Sequence, residues 1–196
     1  MKATVFPVVS CALVSLCLTS HATISTIGSP VVNPANGHTY YLLQPATWTE
    51  SQAYAQTLGG NLVTINDAAE NMWVYNTFPA LTGIAQPSLW IGLNDAAVEG
   101  NWVWASGEPV TYTFWAPGEP NNTPNPYDPN GEDYATIRPP GYLPAGSWND
   151  LGNPGGTMVD LGVVFGVVEV VPEPQTCVLL MMGVVSLLVF CRRKTV

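Results

Sequence analysis

The central part of this sequence, residues 23–171, lacks cysteine. All the cysteines of the chain lie in its two end segments, and they are Cys11, Cys17, Cys177 and Cys191. Residues 23–171 therefore have no disulfide, no thiolate nucleophile and no zinc site built on cysteine.

The same segment is almost without histidine and lysine. His38 is its only histidine, and it contains no lysine. A Ser-His-Asp hydrolase needs a histidine beside its nucleophile, and we interpret "NGHTYY" around His38 as the turn before a first strand. These absences disfavour an enzyme. The catalytic alternative that remains is a glycosidase that would use Glu119 and Glu132 as paired carboxylates.

Positive charge is also scarce. Arg138 is the only basic residue of 23–171, whereas 13 of the 14 acidic residues lie there, so the segment has a net charge of −12. Nucleic acid and anionic membrane surfaces are poor partners for such a domain. A hard cation that binds oxygen ligands is a suitable one.

The two ends have the composition of targeting segments. Residues 1–22 begin with Lys2, continue through an apolar stretch and end in "SHA", a pattern that predicts a signal peptide. Residues 172–196 contain an apolar run followed by "RRK", which predicts a short transmembrane helix with a cytoplasmic tail. The run from Cys177 to Cys191 is short for a full span, so we expect a temporary membrane association.

Between these ends the sequence predicts an α+β domain with two helices. Thr47 and Glu50 form a capping-box pattern at the start of a helix over 47–58, and Asp67 caps a second helix over 67–78. Predicted strands, rich in aromatic and β-branched residues, cover 39–44, 61–65, 89–93, 101–104, 134–137 and 163–170.

The segment 105–133 is too long for a simple connection and is therefore expected to be functional or flexible. Its second part, "APGEPNNTPNPYDPNGED", has five prolines, four asparagines and four acidic residues. The prolines exclude a helix or a central strand. A flexible insertion is the alternative interpretation for the middle of this loop, residues 123–130.

Three groups of acidic and amide residues follow one another: "EPN" at 119–121, "GED" at 131–133 and "SWND" at 147–150. Calcium binds six to eight oxygens from carboxylates, amide carbonyls and water. Sugar hydroxyls can coordinate such an ion while they donate to a carboxylate or accept from an amide. The order of these groups favours a calcium site, and its chemistry is compatible with a hydroxylated ligand.

At these residues the chain resembles the C-type lectin domain family, over 36–171. The matching pieces are "TWTESQAYAQTLGGNLVTI", "LWIGLNDAAVEGNWVW", "FWAPGEPNN", "GED", "SWND" and "VVFGVVEV". The resemblance implies a C-type lectin-like fold for 23–171, with two helices, small antiparallel sheets and a long calcium-binding loop.

The resemblance also implies a site. The ligands of the principal calcium, which also binds two neighbouring sugar hydroxyls, would be Glu119, Asn121, Glu132, Asn149 and Asp150. "EPN" instead of "QPD" implies specificity for mannose, glucose or N-acetylglucosamine, and the peptide bond before Pro120 is expected to be cis. Auxiliary metal ligands would be Asp95, Glu99 and Asp133, with Asn122 where an aspartate is usual. The alternative for Asp95 and Glu99 is an exposed turn.

One departure from the family concerns packing. The family usually has two disulfides, and here Ala55 and Val168 occupy the places of one pair, Tyr134 and approximately Asn153 those of the other. We expect packing and calcium to hold the loop instead. One of the aromatic residues could also serve as a stacking platform for a sugar, although packing in the core is the stronger interpretation for each of them. The aromatic candidates are Trp102, Trp104, Trp115 and Tyr127.

The C-terminal segment resembles the PEP-CTERM sorting signal, with "VPEP" at 171–174, an apolar stretch and then "RRK". This resemblance implies a Gram-negative bacterium that makes exopolysaccharide and an exosortase that cuts near residues 172–174. The protein would then be exported to the cell surface or the extracellular matrix.

The sequence thus favours calcium-dependent carbohydrate binding without enzymatic activity. The main alternative is a structural or protein-binding domain of the same fold, in which the same ligands only hold the loop, because a fold alone does not set function.

Overall fold

The structure, a computed structural model, describes residues 24–124, 129, 131–153 and 163–172. The predicted signal peptide, residues 1–22, and all but the first residue of the segment 172–196 lie outside these ranges, so both remain predictions. Within the described ranges, no helix is both long enough and apolar enough to cross a membrane.

The described residues form two α-helices, one short 3-10 helix and eight strands. The helices are α1 (Trp48–Thr57) and α2 (Ala68–Thr77), and the 3-10 helix is Pro79–Leu81. The strands are β1 (Thr26–Val32), β2 (Thr39–Pro45), β3 (Asn61–Leu62), β4 (Ser88–Asn94), β5 (Val103–Trp104), β6 (Tyr134–Ile137), β7 (Trp148–Leu151) and β8 (Val164–Val170). The α+β class and both predicted helices are confirmed.

The helix starts follow directly from the sequence. At α1 the Thr47 hydroxyl accepts a hydrogen bond from the Glu50 amide at 3.2 Å, and the Glu50 carboxylate accepts one from the Thr47 amide at 3.1 Å. At α2 the Asp67 carboxylate accepts from the Glu70 amide at 2.8 Å. Both caps satisfy backbone donors that the first helical turn leaves free.

The strands form one sheet in the order β1-β2-β8-β4-β6-β7, with β3 paired to β8 and β5 paired to β4. The expectation of antiparallel sheets is wrong for one pair, because β4 and β8 are parallel. A parallel pair needs a long crossover, and most of the domain lies between these two strands. The pairing brings β6 and β7, which follow the long loop, to one end of the sheet.

Strand β1 was not predicted. It pairs only with β2 and has a register shift between Ile27 and Val31. Gly28 and Pro30 interrupt its strand-like composition, and proline is tolerated at a sheet edge because the missing amide has no partner strand there.

Packing occupies the places where the family usually has disulfides. Ala55 and Val168 are both fully buried in one apolar cluster with Leu43. Tyr134 lies against two tryptophans, with ring centroids 4.7 Å from Trp48 and 6.5 Å from Trp90. The expected replacement of sulfur by packing is confirmed for Ala55, Val168 and Tyr134. Asn153 instead accepts a hydrogen bond from the Thr49 amide at 3.1 Å, and the expected role of calcium stays a prediction.

Candidate metal and carbohydrate site

The first half of the long loop is held along strand β7 by Trp148. The Trp148 amide donates to the Phe114 carbonyl at 2.7 Å, and the Ala116 amide donates to the Trp148 carbonyl at 2.8 Å. The indole ring is fully buried, and its N–H donates to Asn71 Oδ1 at 2.7 Å. Trp148 therefore fixes the backbone just before the "EPN" segment.

The buried carboxylate of Asp150 holds the "EPN" segment itself. It accepts hydrogen bonds from the Asn121 amide at 3.0 and 3.2 Å and from the Asn122 amide at 2.7 Å. The bond between Glu119 and Pro120 is cis, as expected. A carboxylate on a strand thus organises a loop that has no regular structure of its own.

Asn122 connects this segment to the second half of the loop. Its side-chain oxygen accepts from the Glu132 amide at 2.7 Å, and its own backbone is left-handed, with φ of 47°. Gly131 has φ of 121°, and a Cβ atom there would collide with the Asn122 side chain. Asn122 is therefore a structural link, a role that the sequence did not indicate.

Thr123 is a further residue of this loop group that the sequence did not indicate. Its amide donates to Asn121 Oδ1 at 2.9 Å and to Glu132 Oε2 at 3.3 Å, and its hydroxyl also donates to Asn121 Oδ1. Only its position two residues after Asn121, where an Asx turn forms, could have indicated this role.

Glu119 keeps an oxygen without a partner. The residue is half-buried, and its Oε2 atom is buried with no hydrogen-bond partner in the described part of the chain. Burial and then the negative charge of Asp150 raise the pKa of Glu119, while Arg138 has a smaller opposite effect. Buried polar atoms without partners are rare in proteins, and a cation would relieve both the repulsion and the missing bond.

The structure brings four of the five predicted principal ligands into one connected group. Contacts or charge interactions join Glu119, Asn121 and Asp150, and Thr123 links Asn121 to Glu132. The fifth, Asn149, precedes Asp150 on β7, and its amide donates to the Asp150 carbonyl at 2.6 Å. No three acidic, histidine or cysteine side chains among the described residues form a metal-binding group by themselves. An ion here would also need amide oxygens, so the complete ligand set remains a prediction.

The predicted auxiliary ligands also interact. Asp95 is 2% exposed, its Oδ1 atom has no partner among the residues described, and its Oδ2 accepts from the Gly100 amide at 2.8 Å. Burial, followed by the charges of Glu99 and Asp133, raises the pKa of Asp95 to about 6. The alternative of an exposed turn is therefore wrong for Asp95, and a site for a cation there stays a prediction.

A second group of ionisable residues involves none of the loop carboxylates. The Tyr40 hydroxyl lies 2.6 Å from Glu70 Oε1 and 2.9 Å from Glu169 Oε1, and His38 Nδ1 lies 2.6 Å from the same Glu169 oxygen. We call His38, Tyr40, Glu70 and Glu169 the inner cluster.

The predicted core role of the aromatic residues is confirmed for Trp104. It is 2% exposed, and its ring centroid lies 5.9 Å from that of Trp148. Trp102 and Trp115 are half-buried, and their ring centroids lie 4.7 Å apart with the ring planes inclined at 62°. Tyr127 lies outside the described residues.

Comparison with known families agrees with this geometry. The model of the lectin C-type domain matches residues 44–151, and the model of the PEP-CTERM protein-sorting motif matches residues 170–194. The chain therefore belongs to the C-type lectin domain family and carries a PEP-CTERM motif at its C-terminal end.

Similar proteins occur in animals. C-type lectin domain family 17, member A, from Homo sapiens is 39% identical over 60% of this chain and 27% of its own length. The alpha-N-acetylgalactosamine-specific lectin of Patiria pectinifera is 36% identical over 53% of this chain and 61% of its own length. This chain thus spans less than two thirds of either relative.

Among solved structures, the C-type lectin CEL-I from Cucumaria echinata is similar to this chain with a TM-score of 0.55 and 29% identity. The match covers 69% of this chain and 91% of that one. It confirms the C-type lectin fold derived from the strands and helices above.

Proposed function

We propose that this protein binds carbohydrate in a calcium-dependent manner and is not an enzyme. The observation that carries the proposal is the loop group in which Asp150 holds the Asn121 and Asn122 amides while Glu119 keeps a buried oxygen without a partner. Membership of the C-type lectin family supports carbohydrate binding in general.

The donor set fits calcium and not a softer metal. The residues that would hold the ion, all of them oxygen donors, are Glu119, Asn121, Glu132, Asn149 and Asp150. When bound, calcium supplies coordination positions for two adjacent sugar hydroxyls. The carboxylates then accept hydrogen bonds from those hydroxyls and the asparagine amides donate to them, so the arrangement distinguishes the direction of the pair.

We further propose specificity for sugars of the mannose, glucose or N-acetylglucosamine type. This rests on the "EPN" tripeptide at 119–121, through its resemblance to family members. Family membership alone leaves the sugar open, since one relative is named for specificity toward alpha-N-acetylgalactosamine.

The PEP-CTERM motif supports export, processing by an exosortase and a place at the cell surface or in an exopolysaccharide matrix. We propose that residues 172–196 associate with the membrane only before this processing.

A structural or protein-binding role is the second candidate. It is favoured by the hydrogen bonds that Asn122, Thr123 and Asp150 already make within the loop, which hold it without any ligand. In that case calcium would stabilise the domain while no sugar would bind.

The test is retention of the purified protein on a mannose resin with calcium. We expect EDTA to abolish retention, and we expect Glu119→Gln combined with Asn121→Asp to shift preference toward galactose. Glu108→Gln is the matched control, because Glu108 is exposed and its carboxylate accepts a hydrogen bond only from the Asn66 side chain in the described structure. Retention that survives chelation would reject calcium dependence, and a blank glycan array with calcium-raised thermal stability would favour the structural role.

A further inference from the structure

The only basic residue of the domain, Arg138, lies in a groove beside the proposed sugar site. The groove has a volume of about 230 Å³ and is lined by Thr136, Arg138, Tyr142 and Asn149 among others. Asn149 is also one of the proposed calcium ligands. Arg138 also lies close enough to Glu119 to lower its pKa. The groove therefore shares Asn149 with the proposed calcium site, although the other proposed ligands do not line it.

Arg138 is held in position by residues of the segment that connects β6 to β7. Its amide donates to the Ser147 carbonyl at 2.9 Å, directly after the β6–β7 pairing of Ile137 with Trp148. Its guanidinium lies 4.6 Å from the centroid of the Tyr142 ring. Residues 139, 140 and 144 are prolines, which restrict this connection further. A charged group fixed in this way loses little conformational freedom when it binds.

The guanidinium of Arg138 forms no salt bridge within the described part of the chain. The salt bridge that the described residues contain joins His38 to Glu169, and Arg138 forms none with them. An arginine whose only role was to balance Glu119 would be expected to pair with it directly. A guanidinium with free donors instead suits a planar anion, because it can donate two parallel hydrogen bonds to a carboxylate or sulfate.

We propose that this groove binds an anionic sugar unit, one that carries a carboxylate or a sulfate, next to the calcium-bound hydroxyl pair. Arg138 binds the anionic group and Tyr142 supports the guanidinium. The inference rests on the proposed function and narrows its substrate class to acidic polysaccharides.

The net negative charge of the domain does not prevent an anionic sugar from binding in the Arg138 groove. Charges more than about 8 Å apart are largely screened at physiological ionic strength. Arg138 therefore acts on an anion in the groove more strongly than carboxylates on distant surfaces do, and bound calcium would add positive charge on the same side.

The experiment measures how well soluble sugars displace the protein from mannose resin in the presence of calcium. Three competitors are compared: methyl α-mannoside, its 6-carboxylate (the mannuronoside) and its 6-sulfate. We expect the anionic sugars to compete about fivefold better than the neutral one, the size of a partly exposed ion pair. The carboxylate and sulfate arms separately identify which anion is preferred. Sodium acetate and methyl sulfate are the controls for a simple ion effect.

Arg138→Gln should abolish the preference for anionic sugars, so that they compete about as well as the neutral sugar, and it should leave competition by the neutral sugar unchanged. Arg138→Lys should retain an intermediate preference, because it keeps the charge and loses the paired donors. Arg138→Gln combined with Val32→Arg restores the net charge on exposed β1, at the opposite end of the sheet order. We expect this double variant to behave like Arg138→Gln alone.

Equal competition by all three sugars in the wild type, or a preference that survives Arg138→Gln, would overturn the inference and leave the proposed function intact. A preference restored by Val32→Arg would overturn it as well, since net charge would then explain the effect. If calcium gives no retention at all, the proposed function fails, and calorimetry with the mannuronoside decides the inference separately. Heat that depends on Arg138 supports it, and absence of heat rejects it.

Discussion

The inner cluster and the loop cluster (Glu119, Asn121, Glu132 and Asp150) both bury carboxylates, but they differ in what surrounds them. In the inner cluster, Glu169 accepts from the Thr64 amide at 3.1 Å and contacts His38 and Tyr40, while Glu70 accepts from the Asn66 amide at 3.0 Å. In the loop cluster, Glu119 has a buried oxygen without a partner and a pKa raised by burial and by Asp150.

This difference separates a structural cluster from a binding one. The inner carboxylates come from α2 and β8, and their oxygens are used by donors from neighbouring elements, so the cluster ties a helix to the sheet. Burial still raises the pKa of Glu70, and the single proton of Tyr40 can be donated to only one of the two carboxylates at a time. In the loop, acceptors exceed donors, and an added cation is the simplest way to balance them.

The largest expected effect is the removal of an inner carboxylate. Glu169→Met leaves His38 and the Thr64 amide without their buried acceptor, and loss of one member of such a network costs about 3–5 kcal/mol. We expect the free energy of unfolding in urea, measured with a chelator, to fall by this amount. Glu169→Gln keeps an acceptor and should cost less. A loss below about 1 kcal/mol for the methionine variant would contradict the structural role.

The next effect concerns the link between the two halves of the loop. Gly131→Ala should cost about 1–3 kcal/mol and weaken the response to calcium, because φ is positive and the added carbon collides with Asn122. Gly107→Ala is the matched control, since Gly107 also has a positive φ, of 82°, but open space around it. Equal losses in urea unfolding would mean that the collision with Asn122 is unimportant.

In the calcium-free protein, the effect of Asp95 ionisation on the free energy of unfolding should be smaller than the effect of Gly131→Ala. The pKa of Asp95 rises from 3.8 to about 6 on folding, so the unfolded state ionises first and the folded state loses stability as pH increases through this range. We expect Asp95→Asn to gain about 1–2 kcal/mol relative to the wild type between pH 4 and pH 6, and nothing further above pH 7. A constant difference across this range in urea unfolding would show that Asp95 does not resist ionisation.

The smallest expected effect on stability is that of Glu119→Gln without calcium. We expect the free energy of unfolding to change by no more than about 0.5 kcal/mol. The reason is that the negative charge of Glu119 is repelled by Asp150 and therefore contributes little to stability. The increase in Tm caused by calcium should nevertheless be lost, whereas Glu108→Gln should retain it. Thermal unfolding with and without calcium measures both, and a large loss without calcium would place Glu119 with the structural carboxylates.

Much of the fold could be predicted because the signals are local. The capping residues Thr47 and Asp67 start their helices as their side-chain chemistry requires. Strand β1 was not apparent because Gly28 and Pro30 interrupt its strand-like composition. The parallel pairing of β4 with β8 could not be predicted in this way, because it joins residues far apart in the chain, such as Ser88 and Val164.

The sequence indicated which loop residues lie together and did not indicate how they are connected. The order of the acidic and amide groups, together with the resemblance to the C-type lectin family, indicated Glu119, Asn121, Glu132 and Asp150, which the structure joins into one group. It did not reveal that Thr123 links two of them or that Asn122 binds the Glu132 amide. Hydrogen bonds of this kind depend on how the loop folds back on itself, which composition does not specify.

The sequence by itself determined the chemistry available to this protein: a domain without cysteine, with a single histidine and arginine and with many oxygen donors. Only the tertiary structure decided which carboxylates are satisfied and which retain a free oxygen, and that Arg138 lies in a groove next to Asn149. The physical reason is that residue type fixes what a group can bind, whereas burial and distant neighbours fix whether it is already bound.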